Sequence, residues 1–342
     1  MNQTHNYYHN ILTHYNSIQK LKKDILCLPR FCTFQTSYAC NHHCKGCSFG
    51  DKINKKMMSE EHHIKVLHDL IAVGVKGFEF CGGGESFTLP YLNKLLLIII
   101  ENDCGFGSLT NGSLLTDELI NLFVNHGSYI RISMEASNKE DYCKYKSVSE
   151  SEWFKVLTNI SKLTHLKREQ NSKLDIGIKF GVSKSLRGIE HFKNAITLAE
   201  NLGVDNVQFK SLRHEPEELT LADKQEERAN LEFIKWKYTI PIIESIVPVE
   251  EKEVPQCWLN PLHTVIDYNG DVFLCCYYYF REQEHKIGNM IDTLFTELWF
   301  SKKHKDLIKQ IDRSKCAMVD CKFFAHHKNV ETAFSNNRVE FL

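Results

Sequence analysis

The sequence is short of net charge: 42 Lys and Arg stand against 43 Asp and Glu over 342 residues, a formal charge of −1. That balance excludes the global basic field that gathers nucleic acid. The lysine-rich stretches at 52–56 and 302–309 read as solvated surface. Long apolar runs are missing too. The longest strongly apolar one, Leu95 to Ile100, is far too short to span a bilayer. The opening Met-Asn-Gln-Thr-His-Asn-Tyr-Tyr lacks the basic-then-apolar layout of a secretory signal, so the expected location is cytoplasmic. No solenoid-type repeat or low-complexity linker interrupts the chain. Without an export signal, the 13 cysteines read as cluster or catalytic groups rather than a disulfide framework. A hydrophobic fraction of 42% is enough for a core, and the length suits two domains or one with an appendage.

Three of the cysteines crowd into Cys40-Asn41-His42-His43-Cys44-Lys45-Gly46-Cys47. Three thiolates this close can hold three irons of a 4Fe–4S cluster and leave the fourth open to an exogenous molecule. A structural zinc site closes with four ligands. The nearby candidates for a fourth, Cys32, His42 and His43, have no finger or ribbon spacing, which favours the cluster over zinc.

Between Phe31 and Lys210 the sequence alternates strand and helix signals. Apolar or β-branched runs fall at 31–38, 75–80, 104–110, 129–134, 174–182 and 204–210. Helical periodicity falls at about 59–73, 91–101, 116–125, 151–165 and 189–202. Ser59 and Thr116 stand where N-caps belong, and Gly74 and Gly203 where helices end in a left-handed residue. Repeated β/α units with short connections make a parallel sheet with helical cover. Periodicity alone leaves an ordinary doubly wound domain open.

The Cys-x3-Cys-x2-Cys spacing resembles that of the radical S-adenosylmethionine (SAM) superfamily. That resemblance implies an α/β fold, a partial (β/α)6 TIM-like barrel with a small C-terminal α+β iron–sulfur extension. Cys40, Cys44 and Cys47 then ligate the SAM-binding 4Fe–4S cluster. The turn Cys81-Gly82-Gly83-Gly84-Glu85 resembles the superfamily's Gly-Gly-Glu motif, which implies that Gly83, Gly84 and Glu85 hold the SAM amino group. Ser86 replaces the usual proline or threonine after it. Ser133 and Glu135, in Ile130-Arg131-Ile132-Ser133-Met134-Glu135, resemble the element that meets the SAM ribose or carboxylate. Lys146 stands where a basic residue reaches the SAM carboxylate, although an exposed charged helix end is an equal reading. Lys179 and Lys210 sit on strands and either line the barrel or face solvent. The aromatic usual before the third cysteine is Gly46 here, so Phe49 or backbone groups are expected to hold the adenine. Ser185 stands near a position often occupied by asparagine.

A second cysteine set follows. Asn269-Gly270-Asp271-Val272-Phe273 reads as a hairpin turn feeding a strand, between Cys257 and Cys275. Cys316 and Cys321 come later. Four thiolates from a hairpin and a loop can complete a cluster shell, and zinc is the competing occupant. The arrangement resembles the SPASM/twitch extensions, which implies one auxiliary 4Fe–4S cluster on Cys257, Cys275, Cys316 and Cys321. Cys276 is left out because neighbours on a strand face opposite ways. His326 and His327 are read as helix-end or surface residues. The expected divisions are 1–30 as an N-terminal extension, 31–213 as the barrel, 214–255 as a bridge, 256–330 as the auxiliary-cluster extension and 331–342 as a tail.

The resemblance implies reductive cleavage of SAM to a 5′-deoxyadenosyl radical that abstracts hydrogen from substrate. A flavodoxin or ferredoxin is the expected electron donor, and neither nucleic acid nor membrane is expected as a partner. Only about forty residues precede the first cysteine, with no strand–helix module among them. This favours a sugar, aminocyclitol or nucleotide-type small molecule. The resemblance implies an auxiliary cluster that accepts the electron of a substrate radical in a net dehydrogenation, binds the substrate or relays electrons, and the sequence leaves these three open. A peptide maturase is the alternative, and a non-enzymatic iron–sulfur or zinc binding module the third reading. No catalytic side chain is assigned.

Overall fold

The computed structural model describes residues 14–54, 56–212, 218–246, 256–276, 282–313, 321 and 323–335. Its strands are β1 (Phe31–Phe34), β2 (Gly77–Phe80), β3 (Gly105–Thr110), β4 (Tyr129–Glu135), β5 (Asp175–Val182), β6 (Asn206–Ser211), β7 (Ile242–Ser245), β8 (His263–Ile266), β9 (Asp271–Phe273) and β10 (Lys286–Asn289). The helices are α1 (Tyr15–Lys22), α2 (Glu60–Ala72), α3 (Leu92–Glu101), α4 (Asp117–His126), α5 (Lys139–Lys146), α6 (Glu150–Glu169), α7 (Ile189–Leu202), α8 (Leu221–Lys235), α9 (Glu282–His285), α10 (Phe295–Trp299), α11 (Lys302–Lys309) and α12 (Phe324–Ser335). They fall into two units, one of Phe34–Ile64 and Gly77–Pro248, the other of Met1–Thr33, Lys65–Lys76 and Val249–Leu342.

In the larger unit, β2 to β7 lie side by side in chain order, every pair parallel. Helices between successive strands cover one face, the arrangement of a partial β/α barrel. The local signals act as expected. Thr116 caps α4 by accepting from Leu119 N at 3.2 Å, and Gly203 ends α7 with a φ of +68°. The covered face is apolar: Phe106 packs edge-on against Phe123 of α4, and Phe209 against Phe192 of α7.

The other face of this sheet is polar and graded along the strands. Near the strand starts, Tyr129 donates to Glu79 at 2.7 Å and Arg131 donates to Asn206 at 2.6 Å. Asn206 in turn donates to Asp175, which extends the chain of hydrogen bonds from Arg131. Near the carboxyl ends, the register places Ser133 beside Lys179, Lys179 beside Gln208, and Gly181 beside Lys210. Side chains alternate with a period of two, so these positions share one face. Ligands of parallel α/β sheets bind at that end of the strands.

The smaller unit has strand order β10-β9-β8-β1, with β8–β9 and β9–β10 antiparallel. The expected hairpin is present, its turn made by Gly270 at φ +79°. Ile18 of α1, Cys27, Leu259, Leu262 and Val330 of α12 form one core here, and the buried Trp299 donates to Cys27 O at 2.7 Å. Ile18 and Cys27, which lie in the expected N-terminal extension 1–30, thus pack with Leu259, Leu262 and Val330. Among the described residues no helix is long and apolar enough to cross a membrane.

Candidate active site

Two pairs of backbone hydrogen bonds and one buried side chain fix the run Cys40 to Cys47. Gly84 N donates to Ser37 O at 2.8 Å, and Glu85 N to Ala39 O at 2.7 Å. His43 N and Lys45 N donate to Lys146 O and Tyr145 O at 3.1 and 3.0 Å. The last carbonyls of a helix have no partner within it, so α5 accepts the cysteine loop's amides at its C-terminus. His42 is buried, its Nε2 3.2 Å from Glu152 of α6, and its ring edge-on to Tyr142.

These anchors bring Cys40, Cys44 and Cys47 together. Burial pushes the Cys40 thiol up to about 11, and Glu85, Cys44 and Cys47 add to the rise. Burial also raises the Cys44 thiol, which lies within the fields of Lys146, Glu135 and Lys179. Among the described residues, no three His, Cys, Asp or Glu side chains suit a single metal ion. A cubane places each thiolate on a different iron, so its ligands need not converge on one point. The donor set fits a cluster carried by three cysteines.

The glycine turn is shaped first by this loop. A Cβ on Gly84 would lie 2.0 Å from Ala39 O, and one on Gly83 would lie 2.6 Å from the Tyr38 ring. Gly83 also holds a φ of +69°. Glycine therefore permits the close approach of the segment that delivers Cys40. Glu85 is similarly committed. Buried at the turn's end, its carboxylate accepts from Phe87 N at 3.2 Å, Thr110 Oγ1 at 2.8 Å and Asn111 N at 2.7 Å. Asn111 Nδ2 donates onward to Asn41 Oδ1 at 2.8 Å, and Asn41 donates to Ser113 at 2.6 Å. Glu85 thus holds the β3–α4 loop, and that loop holds Asn41 between the first two cysteines. No local signal marks this relay beyond the position of Asn41 itself.

Glu85→Gln is accordingly expected to disturb the cluster as well as SAM. An amide cannot accept at both ends, so at least one buried donor loses its partner at a cost of about 1–3 kcal/mol. Iron analysis should show the variant losing iron from the first cluster along with SAM affinity. Full iron with weakened SAM binding would mean that the relay does not hold the loop.

Glu135, Lys146 and Lys179 form the polar centre beside the cysteines. A bulge in the β4–β5 register falls between Ser133 and Glu135, and Glu135 takes a left-handed φ of +68°. Such backbone costs on the order of 1–3 kcal/mol in a non-glycine residue and is a mark of functional sites. The bulge sets Glu135 Oε1 2.7 Å from Lys179 Nζ and 4.0 Å from Lys146 Nζ. Burial alone would raise the Glu135 carboxyl, but Lys179 and Lys146 hold it below its ordinary value. Burial likewise opposes the charge on Lys179, which Glu135 more than offsets. Lys146 is 2% exposed, which excludes the solvent-facing helix-end reading.

Two lysines thus face one carboxylate, and Glu135 Oε2 is buried without a hydrogen-bond partner. A ligand with one carboxylate and one N–H or O–H donor would satisfy both demands. The amino-acid end and ribose of SAM carry those groups, so the residues fit it. The Cys81 thiol also acts electrostatically on Lys179. Phe49 is buried edge-on against Tyr38, and Ser185 lies 3.3 Å from Ser183.

In the smaller unit, Cys257 lies 3.8 Å from His327 Nε2 and Cys275 lies 3.5 Å from His285 Nδ1. Cys321 is partly exposed, and Cys316 lies outside the described residues. β9 stops at Phe273, so the strand alternation used to set Cys276 aside does not extend to it. His326 and His327 are buried in α12 rather than exposed.

Residues 34–176 match the model of the Radical SAM superfamily, and residues 257–322 match that of the SPASM iron–sulfur cluster-binding domain. None of the curated proteins matches the chain in sequence. Similar solved folds include Streptococcus suis SuiB bound to its precursor peptide SuiA, at TM-score 0.68 and 15% identity over 92% of this chain and 75% of that one. They also include anSMEcpe with bound AdoMet, at TM-score 0.63 and 16% identity over 88% of this chain and 85% of that one.

Proposed function

We propose a reaction for a chain that carries a radical SAM domain followed by a SPASM iron–sulfur domain. It is the abstraction of hydrogen from an organic substrate, begun by reductive SAM cleavage. The observation that carries this reading is the set of three thiols beside a carboxylate–lysine centre in which Glu135 Oε2 is buried without a hydrogen-bond partner. Cys40, Cys44 and Cys47 hold the cluster. Lys146 and Lys179 take the carboxylate of SAM, and Glu135 Oε2 takes one of its N–H or O–H donors. When bound, cluster and SAM together supply a one-electron cleavage that yields methionine and the 5′-deoxyadenosyl radical. Gln208 and Lys210, farther along the same sheet face, stand where substrate would be oriented.

A small molecule of sugar, aminocyclitol or nucleotide type is one substrate reading, with the auxiliary cluster as electron acceptor. A peptide is the other. Its support is that two similar folds were solved with peptides, SuiB with SuiA and anSMEcpe with the Cp18Cys peptide. Anaerobic turnover with site-deuterated candidates separates them. Deuterium carried into 5′-deoxyadenosine identifies the substrate class, and SAM cleavage that never takes up substrate deuterium contradicts hydrogen abstraction.

The SPASM region is expected to hold one 4Fe–4S cluster on Cys257, Cys275, Cys316 and Cys321. Reconstituted protein should then contain about eight irons per chain. About four irons with one zinc would assign the tail to zinc, and about twelve would require further ligands such as Cys276.

A further inference from the structure

His327 lies in the first turn of α12 and is 5% exposed. Its Nδ1 is 3.1 Å from Trp258 N and 3.4 Å from Leu259 N. Both partners are backbone donors, so Nδ1 presents its lone pair. A neutral imidazole has a single N–H, and the hydrogen-bond network therefore assigns that proton to Nε2. Nε2 in turn faces Cys257 Sγ at 3.8 Å. The two residues after Cys257 hold the ring, and the ring returns its N–H to Cys257.

We propose that His327 donates an N–H···S hydrogen bond to Cys257 and so raises the reduction potential of the auxiliary cluster. This rests on Cys257 being a ligand of that cluster, the reading given above. Reduction adds negative charge to a cluster and its thiolates, and a hydrogen bond to sulfur favours the more negative state. The same geometry excludes His327 as a metal ligand through Nε2. Coordination there would move the proton to Nδ1, where it would meet two other N–H groups. The pairing of a buried ring with a ligand cysteine recurs at Cys275, whose sulfur is 3.5 Å from His285 Nδ1.

The test uses the full chain with Cys40, Cys44 and Cys47 replaced by alanine, so that only the auxiliary cluster contributes. His327→Asn keeps an oxygen near Nδ1 for the Trp258 and Leu259 amides but offers Cys257 no donor. His327→Gln places an amide N–H near Nε2 instead. Iron content and potentiometric titration followed by EPR are measured for both. His327→Asn should keep its iron, with the reduced-to-oxidised ratio at fixed potential falling about tenfold, equivalent to about 59 mV for a one-electron couple. His327→Gln should titrate close to the parent. An unshifted His327→Asn overturns the assignment, and so does a His327→Gln shift as large as that of His327→Asn. Loss of iron in His327→Asn makes the residue a ligand or a purely structural support, which also overturns it. Cys257→Ala measured alongside separates the two levels: a cluster that survives this change removes the ligand reading, and the role of His327 with it.

Discussion

Replacing Cys40, Cys44 and Cys47 together with alanine is expected to abolish SAM cleavage while leaving the SPASM cluster in place. The three thiols belong to the larger unit, and Cys257, Cys275 and Cys321 belong to the other. The two proposed ligand sets therefore belong to different units. Iron should fall from about eight to about four per chain. Production of 5′-deoxyadenosine should fall below detection, because no iron remains for SAM to reach. Product formation at the parent rate would remove these cysteines from the reaction.

Gly84→Ala should have nearly as large an effect from a position that binds no metal. The new Cβ would lie 2.0 Å from Ala39 O and 2.6 Å from Ala39 C. Both are backbone atoms, so no rotamer change relieves the clash. Either the turn or the segment leading to Cys40 must move, which breaks the bonds from Gly84 N to Ser37 O and from Glu85 N to Ala39 O. Overpacking with loss of two such bonds costs about 3 kcal/mol or more. Displacement of Cys40 should then prevent the first cluster from assembling, with the SPASM iron retained. Gly50→Ala is the control, since its Cβ would meet only the Cys47 Cβ, at an ordinary 3.8 Å. A Gly84→Ala protein with full iron and full SAM cleavage would show that the turn tolerates movement.

The sequence displayed the elements whose signals are local. Helix caps at Thr116 and turn glycines at Gly203 and Gly270 depend only on neighbouring residues, and each is where its type predicts. β7 carries no periodic signal, because Ile242–Ser245 is short and half-buried at every residue, with no alternation to read. For α5 the sequence shows a charged helix end at Lys146 but not its burial, because Lys-Glu-Asp-Tyr-Cys-Lys-Tyr-Lys is mostly polar. The site was legible as motifs but not as contacts. The Glu85 carboxylate serves Thr110 and Asn111, 25 and 26 residues away, and His327 meets Cys257 across 70 residues. Nothing in local periodicity encodes such pairings. The backbone strain at Glu135 was equally hidden, since it follows from a bulge in the pairing with β5.

The most direct test of a SAM-binding cluster with one open iron is Mössbauer spectroscopy on protein reconstituted with iron-57, recorded before and after SAM is added. One iron of about eight should change its isomer shift on SAM binding, as its coordination number rises. The same change should be absent from the Cys40/Cys44/Cys47 triple variant. A parent spectrum that SAM leaves unaltered, with SAM demonstrably bound, would contradict an open iron at Cys40, Cys44 and Cys47.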